Sequence, residues 1–516
     1  MALGMKRTMP NTDNQSVDMA LWHCDSEPVH KLGLIQPHGA LIAVDTASGI
    51  IEYASENTHR FLHVDYTALL GQPLGSVFGS RFPPASDRLG GKEHPANGRR
   101  QATMHIGTRT LSVSVAAAGT HTIYEFEAAD QDNQSCETSS QKTDQDGSQL
   151  SEMESQKALL DLTVELLRNR TGYDRVMAYQ FGADGHGDVL SESVAQNVDS
   201  FLNLRFPAWD IPAQARDLMR KIPFRYIADV WETPVAVTAA RSSLPALDMT
   251  YSHLRATSPV HLEYLRNMGA AASLTLNLVV RGELWGMIAM HHTTPRALTP
   301  QLRQFGVAIA KAVEIALFDM QKAEQERLAQ QISSLAKAVR LLCTGCHPDA
   351  QALLRSLCSG FNTDGVAFVQ RDQTIRFGTV PSDDEDSELQ AFAESTGNLK
   401  TMTLRTPNGT TTTVLVVRVS ELGVLAFFRT HKPKIITWAG RPTKTARVSC
   451  ERSQLAPRTS FEPFQEQTND LENCWTDDLI EMARSLRRQC IGQPECDHLS
   501  GTDDARSKEP PERRTP

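Results

Sequence analysis

AASLTLNLVVRGELWGMIAMHH, residues 271–292, is the stretch that decides the fold class. Ala271–Val280 and Leu284–His292 are apolar runs rich in Leu, Val, Met and Ile, with Arg281-Gly282 between them. Two such runs about a short turn containing Gly predict a β-hairpin. Upstream, Arg175–Phe181 and Asp188–Val194 read as two more strands, joined through Gly182-Ala-Asp-Gly185-His-Gly187, a hairpin turn. A helix precedes them over Glu152–Arg168, with Ala158, Leu159, Leu162, Leu166 and Leu167 spaced for one face. Helix, strands, irregular middle and terminal hairpin together predict an antiparallel sheet flanked by helices.

Further out, residues 1–20 are polar, and a first mixed unit follows over 21–128. Its strands are GALIAVD and GIIEYAS from Gly39 and Gly49, then Thr110–Ala118 and His121–Glu127. Residues 129–150 (DQDNQSCETSSQKTDQDGSQ at their heart) have no apolar periodicity and read as a linker to the second unit, 151–320. From Pro300 to Leu342 apolar residues recur every three or four positions, including Leu302, Phe305, Ile309, Val313, Leu317, Leu328, Ile332, Leu335 and Val339. One helix of that length spans on the order of 60 Å and reaches beyond one domain; two helices broken near Glu324–Gln325 are the alternative. A third α/β unit covers 321–490 and closes on a helix over Trp475–Arg488. Residues 491–516, polar and rich in Pro and charge, are expected to be disordered.

Bulk numbers agree. The chain has 516 residues, enough for about three domains, and is 40% hydrophobic and 22% charged, as globular proteins are. A net charge of -9 argues against a general nucleic-acid binder. Nine cysteines are too few for a disulfide scaffold, and the odd count leaves at least one thiol unpaired. The N-terminus lacks an apolar signal region and no run of about 18 apolar residues occurs, so a cytoplasmic protein with reduced thiols and no membrane partner is expected.

Familiar catalytic motifs are missing. Cys343-Thr-Gly-Cys346-His347 has the spacing of covalent c-type haem attachment, but it sits at a helix end in a chain with no export signal. No P-loop, nucleophile elbow or zinc-protease helix is present. Three other segments look unlike filler. Cys24-Asp-Ser-Glu-Pro-Val-His30, followed by Ile35-Gln-Pro-His-Gly39, offers a thiol outside any periodic element, poor as core and accessible to covalent chemistry. Arg205-Phe-Pro-Ala-Trp-Asp-Ile-Pro212 holds Asp210 in a loop stiffened by proline on both sides. Leu254-Arg-Ala-Thr-Ser-Pro-Val-His-Leu-Glu-Tyr-Leu-Arg-Asn-Met-Gly269 leads into the deciding hairpin.

These segments, in this order, resemble the bacteriophytochromes, bilin-binding red/far-red photoreceptors. The resemblance covers almost the whole chain in the order PAS, GAF, PHY. It implies an α+β fold: three mixed domains, each an antiparallel sheet flanked by helices, joined by a long helical spine, with an N-terminal knot through the GAF domain. Phe428-Arg429, Trp438-Ala-Gly440 and Pro457-Arg-Thr-Ser-Phe461 are similar to the PHY tongue, expected over about 427–464.

What the resemblance implies can be set out residue by residue. Cys24 would bond the A-ring side chain of biliverdin through a thioether. Asp210, followed by Ile211, would offer its backbone carbonyl to the pyrrole N–H groups and its carboxylate to Arg458 of the tongue. His261 would lie beside the pyrrole water and His291 near the D-ring carbonyl. Arg225 and Arg255 would clamp the propionates, with Ser258, Ser273 and Thr275 as hydroxyl donors. Tyr179, Phe206 and Tyr264 would line the D-ring pocket. The chemistry is apt, because a flat tetrapyrrole with two carboxylates needs an apolar slot, guanidinium forks and a few polar groups. Each residue also has a plain reading: Tyr179 and His261 as core, the arginines as surface ion pairs, Cys24 as an idle thiol.

Departures from the family pattern are Trp209 where Ser is usual, Met219 where Tyr is common, Thr-His after Phe428-Arg429, and Phe464 where Trp is frequent. No phospho-acceptor histidine box or Gly-rich ATP lid is seen, so the expectation is a photoreceptor rather than an enzyme, working as a homodimer through the spine and passing its signal either to a separate protein or to a missing output module. The rivals are a light-regulated kinase fragment, a GAF domain for a cyclic nucleotide, and a bilin carrier without photoconversion.

Overall fold

The computed structural model describes residues 28–79, 100–106, 108–129, 136–343, 349–370, 373–380, 397–405, 411–421, 423–431, 433–443, 446–449, 452–455, 457–468 and 475–491. The chain divides into two compact units, 1–323 with 435–467, and 324–434 with 468–516.

The first unit holds two sheets. One has seven strands in the order Leu34–Ile35, Val235–Ala239, Ile51–Ser55, Gly39–Asp45, His121–Ala128, Arg109–Ala118 and Arg100–Ile106. Its second strand comes from almost two hundred residues downstream of its neighbours, so this sheet and the next domain are interlaced. The backbone of the first strand is stitched to the same downstream region: Gln36 N–H donates to the Leu254 carbonyl at 2.7 Å, Ala256 N–H to Leu34 at 2.9 Å and Met249 N–H to His30 at 2.8 Å. Ile42, Leu111, Val113, Tyr124 and Phe126 fill the core on one face.

The other sheet runs Phe224–Ile227, Ala272–Val280, Glu283–His292, Arg175–Phe181, Gly187–Val194 and Arg205–Phe206, then two strands of a long hairpin, Lys434–Ala439 and Pro463–Thr468. The first six strands pair antiparallel, and Trp438 of the hairpin then pairs parallel with Arg205. The deciding hairpin forms as expected. Arg281 and Gly282 both take positive φ, 56° and 82°, the conformation whose twist matches two right-twisted strands. The helix ahead of the sheet spans Gln156–Thr171, starting later than expected because Ser155 caps it, accepting from Ala158 N–H; Gly172 in the left-handed region ends it.

Alternation along the strands does the rest. Val176, Ala178, Leu274, Leu276, Ile288 and Met290 turn to one face and pack with Leu160, Val164, Leu167, Ile309, Val313 and Leu317 of the helices. Met177, Tyr179, Ser273, Thr275, Met287, Ala289 and His291 turn to the other face and form part of a cavity wall.

The second unit carries a five-stranded antiparallel sheet, ordered Gln373–Gly378, Gly365–Gln370, Val424–Thr430, Thr411–Arg418 and Leu399–Arg405. Helices Ala350–Gly360 and Asp477–Ile491 supply Leu354, Leu357, Met482 and Leu486 to its core, with Leu335 and Val339. The long helix is unbroken over Pro300–Cys343, 44 residues, with no interruption near Glu324–Gln325.

Two expectations need correction. The segment read as a linker, 129–150, is helical over Cys136–Ser151. It contains no proline, its Gln, Glu and Lys residues are adequate helix formers, and Leu150 is fully buried in the neighbouring core. Phe428 and Arg429, read as opening the tongue, belong to the strand Val424–Thr430 of the second unit's sheet, where Phe428 pairs with Gly365 and Val414 and is buried. Cys24, Cys346, His347 and residues 492–516 lie outside the described residues.

Candidate functional site

A cavity of about 280 Å³ lies on the sheet face opposite the helical core. Every candidate named from the sequence that falls among the described residues is on its wall: Tyr179, Phe206, Asp210, Ile211, Arg225, Arg255, Ser258, His261, Tyr264, Ser273, Thr275, His291 and Arg458. Strands, loops and a helix far apart in sequence bring them together.

The strands contribute Tyr179, Ser273, Thr275 and His291 through the alternation described above. Gly187 makes room for Tyr179: a Cβ there would fall 1.7 Å from the Tyr179 Cζ. Arg205–Phe206 and the 3-10 turn Ala208–Asp210 contribute Phe206, Trp209 and Asp210. Arg216, on the following helix Ala213–Lys221, donates to the carbonyls of Ala208 at 3.2 Å and Ile211 at 2.6 Å and so fixes the loop. The sequence does not mark this positioning residue, because a helical arginine beside Asp217 looks solvated. The helix Pro259–Asn267 presents His261 and Tyr264, stacked at 6.1 Å between ring centroids. The long hairpin contributes Pro457 and Arg458.

Arg458 is the centre of a polar knot. Its Nε donates to Asp210 Oδ1 at 3.0 Å and its Nη2 to Oδ2, while Nη1 donates to the Ala439 carbonyl. Tyr264 Oη–H donates to Asp210 Oδ2 at 2.9 Å. Phe206 and Phe461 flank the guanidinium, 5.8 and 5.1 Å from its carbon to their ring centres. Burial raises the Asp210 carboxyl above its ordinary value although Arg458 and Tyr264 pull the other way. Burial likewise lifts the Tyr264 phenol well above its usual range.

Two more arginines face the cavity without a carboxylate. Arg225 donates through Nη2 to the Arg255 carbonyl and, at 3.0 Å, to Thr257 Oγ1. Arg255 donates through Nη1 to the Val29 carbonyl at 2.8 Å, and its buried Nε meets no acceptor among the described residues. Neither forms an ion pair among those residues, and burial depresses both, Arg255 to about 10. The one carboxylate on the described wall, Asp210, is taken by Arg458. Two desolvated cations side by side are unfavourable unless an anion joins them. Such a pair, in an otherwise apolar slot, fits a flat ligand carrying carboxylates.

The histidines are neutral. His261 opens to the cavity, yet surrounding protein and then Arg225 lower its pKa to about 4. His291 is lowered by burial, and then by Arg175 and His261, to about 3, and its Nδ1 has no partner among the described residues. Met219 and Trp209, two of the four departures, both line the wall. Thr257 was also missed; only its position beside Ser258 could have signalled it.

Residues 24–129 match the family described as the PAS fold, 156–317 the GAF domain, and 322–494 the Phytochrome region. The chain is 31% identical over 497 residues to the bacteriophytochrome of Pseudomonas aeruginosa, across 91% of this chain and 66% of that protein, so it spans about two thirds of that relative's length. Two solved structures resemble it, each at 26% identity and a TM-score of 0.72. They are a bacteriophytochrome from the photosynthetic bacterium R. palustris, matched over 91% of this chain and 98% of that one, and the photosensory core module of a Stigmatella aurantiaca phytochrome, matched over 90% and 97%. No helix among the described residues is long and apolar enough to cross a membrane.

Proposed function

The chain belongs to the bacteriophytochromes, a family of light photoreceptors, and from that premise we propose that it binds biliverdin in the cavity, covalently through Cys24, and photoconverts between red- and far-red-absorbing states. The observation that carries this reading is the Arg225–Arg255 pair, a half-buried and a buried cation on the wall of an apolar slot with no carboxylate of their own. A dicarboxylate pigment answers both. Val29, five residues after Cys24, lies on the wall, which supports attachment at that end. Bound biliverdin supplies the visible absorption and the C15=C16 double bond whose isomerisation turns its D ring.

The protein's part follows from its residues. Arg225 and Arg255 hold the propionates, with Ser258, Ser273 and Thr275 as further donors. The Asp210 backbone carbonyl accepts from the pyrrole N–H groups beside Ile211. His261, open to the cavity, and the buried His291, both neutral, stand by those N–H groups and the D-ring carbonyl and accept or donate without adding charge. Tyr179, Phe206 and Tyr264 border the rotating ring. Since Tyr264 and Arg458 share Asp210, repacking of the ring disturbs the hold on the hairpin, which is the tongue; its refolding from strand to helix then moves the spine. The lacing of residues 29–36 with 249–256 supports the knot. Ile315 and Phe318, exposed on the long helix, are the apolar face assigned to a homodimer. A separate signalling partner and a cytoplasmic address complete the proposal.

The test is expression with a haem oxygenase. A red to far-red absorption band, with zinc-induced bilin fluorescence on a denaturing gel that Cys24→Ala abolishes, is expected. A colourless protein overturns the reading; covalent pigment in Cys24→Ala overturns the attachment site alone.

A further inference from the structure

The strand His121–Ala128 of the first sheet puts two acids, Glu125 and Glu127, on the face away from Tyr124 and Phe126. Both are buried, at 1% and 6% exposure, and neither lines the cavity. What they hold is the turn from which Arg255 springs. Glu125 Oε1 accepts from Ser252 Oγ–H at 2.6 Å and from Leu254 N–H at 2.8 Å. Ser252 Oγ in turn accepts from Arg255 N–H at 3.1 Å. The ring of His253 stands between the acids, Nδ1 2.6 Å from Glu125 Oε2 and Nε2 2.6 Å from Glu127 Oε2. Arg303, from the long helix, donates to the same Glu127 oxygen at 2.6 Å. Burial would raise the Glu127 carboxyl, but His253 and Arg303 hold it below its ordinary range, so this carboxylate keeps its charge. Arg225 leans on the same turn, donating to the carbonyls of Arg255 and, at 3.5 Å, His253.

We infer that Glu125 is a positioning residue for the arginine pair: through Ser252 and Leu254 it fixes the 252–255 turn, so that the first sheet sets the carboxylate preference of a cavity it does not line. The inference rests on the bilin reading above. Physically, a guanidinium fork pays off only when its base is fixed, because the ordering of a free turn offsets the charge-assisted bonds it makes. Glu125 is well suited to this, being rooted in a paired strand where Glu125 lies opposite Leu41 and Ser114.

The experiment compares biliverdin with its dimethyl ester, which keeps the ring system and removes both negative charges. Binding is titrated by absorbance in a Cys24→Ala background, so that it stays reversible. The parent is expected to prefer the free acid. Glu125→Gln and the milder Ser252→Ala are each expected to weaken the free acid about tenfold, the scale of one charge-assisted bond, and to leave the ester unchanged. A variant that keeps the parent's ratio of acid to ester affinity overturns the inference, and so does equal weakening of both ligands, which is what general damage to the fold would give. If Glu125→Gln does not fold, Ser252→Ala decides alone. A parent that binds both forms equally overturns the arginine clamp of the bilin reading itself.

Discussion

Arg458 holds Asp210 by both carboxylate oxygens, across 248 residues of sequence, with Nε 3.0 Å from Oδ1 and Nη2 bonded to Oδ2. Both side chains are buried, Arg458 at 8% and Asp210 at 3% exposure. The contact fastens the long hairpin to the cavity loop.

Removing one partner of such a pair leaves a buried charge alone, which costs about 3–5 kcal/mol. Arg458→Ala is therefore expected to free the hairpin, read as faster protease cleavage within 435–467. Arg458→Lys should fall between, since an ammonium cannot bind both oxygens in the fork geometry. Cleavage of Arg458→Ala at the parental rate would contradict the fastening role.

The buried His291 makes stability depend on pH. Its pKa in the folded chain is about 3, against 6.5 as the ordinary value. The unfolded chain therefore takes up a proton on acidification before the folded chain does. The stability this gives is complete above pH 6.5 and declines as pH falls toward 3. By pH 4, some 2.5 pH units below 6.5, the loss is on the order of 3 kcal/mol. Thermal melts of the apoprotein from pH 7 to pH 4 should fall more steeply than those of His291→Gln; parallel curves would show that His291 is not buried neutral.

Tyr179 depends on Gly187 for its place. Gly187→Ala would drive a methyl group into the Tyr179 ring, 1.7 Å from Cζ, and force the ring off the cavity wall at a cost of about 1–3 kcal/mol. Gly282→Ala is the control: nothing lies within 4 Å of its Cβ, and only the strain of φ 82°, about 1–2 kcal/mol, is felt. Gly187→Ala should shift or broaden the pigment band while Gly282→Ala leaves it in place. Identical spectra for both would remove Tyr179 from the pocket.

Much of this was legible in the sequence for definite physical reasons. The hairpin of residues 271–292 announces itself by a Gly turn between apolar runs, and the helix Pro300–Cys343 by a sustained period of three and four. The arginines, histidines and tyrosines of the cavity came through family motifs, not through periodicity: His291 in a strand ending His-His has no local mark of a binding role. Glu125 and Glu127 were not legible at all. Tyr124-Glu-Phe-Glu127 has the alternation of a half-solvated strand, and only tertiary placement of the 252–255 turn shows both acids buried. The helix Cys136–Ser151 was hidden by composition, since a polar run scores as linker whether or not it coils. Phe428-Arg429 went to the wrong element because an aromatic strand of the sheet and the first strand of the hairpin are only a few residues apart.

The central claim is a pigment that switches in this cavity, and one pair of spectra tests it most directly. Absorbance of the protein assembled with biliverdin is recorded in the dark, after saturating red light, and again after far-red light. The account predicts two interconvertible bands in the red and far-red whose difference spectrum reverses sign between the two illuminations. A band that light leaves unchanged would contradict it and leave only a pigment carrier.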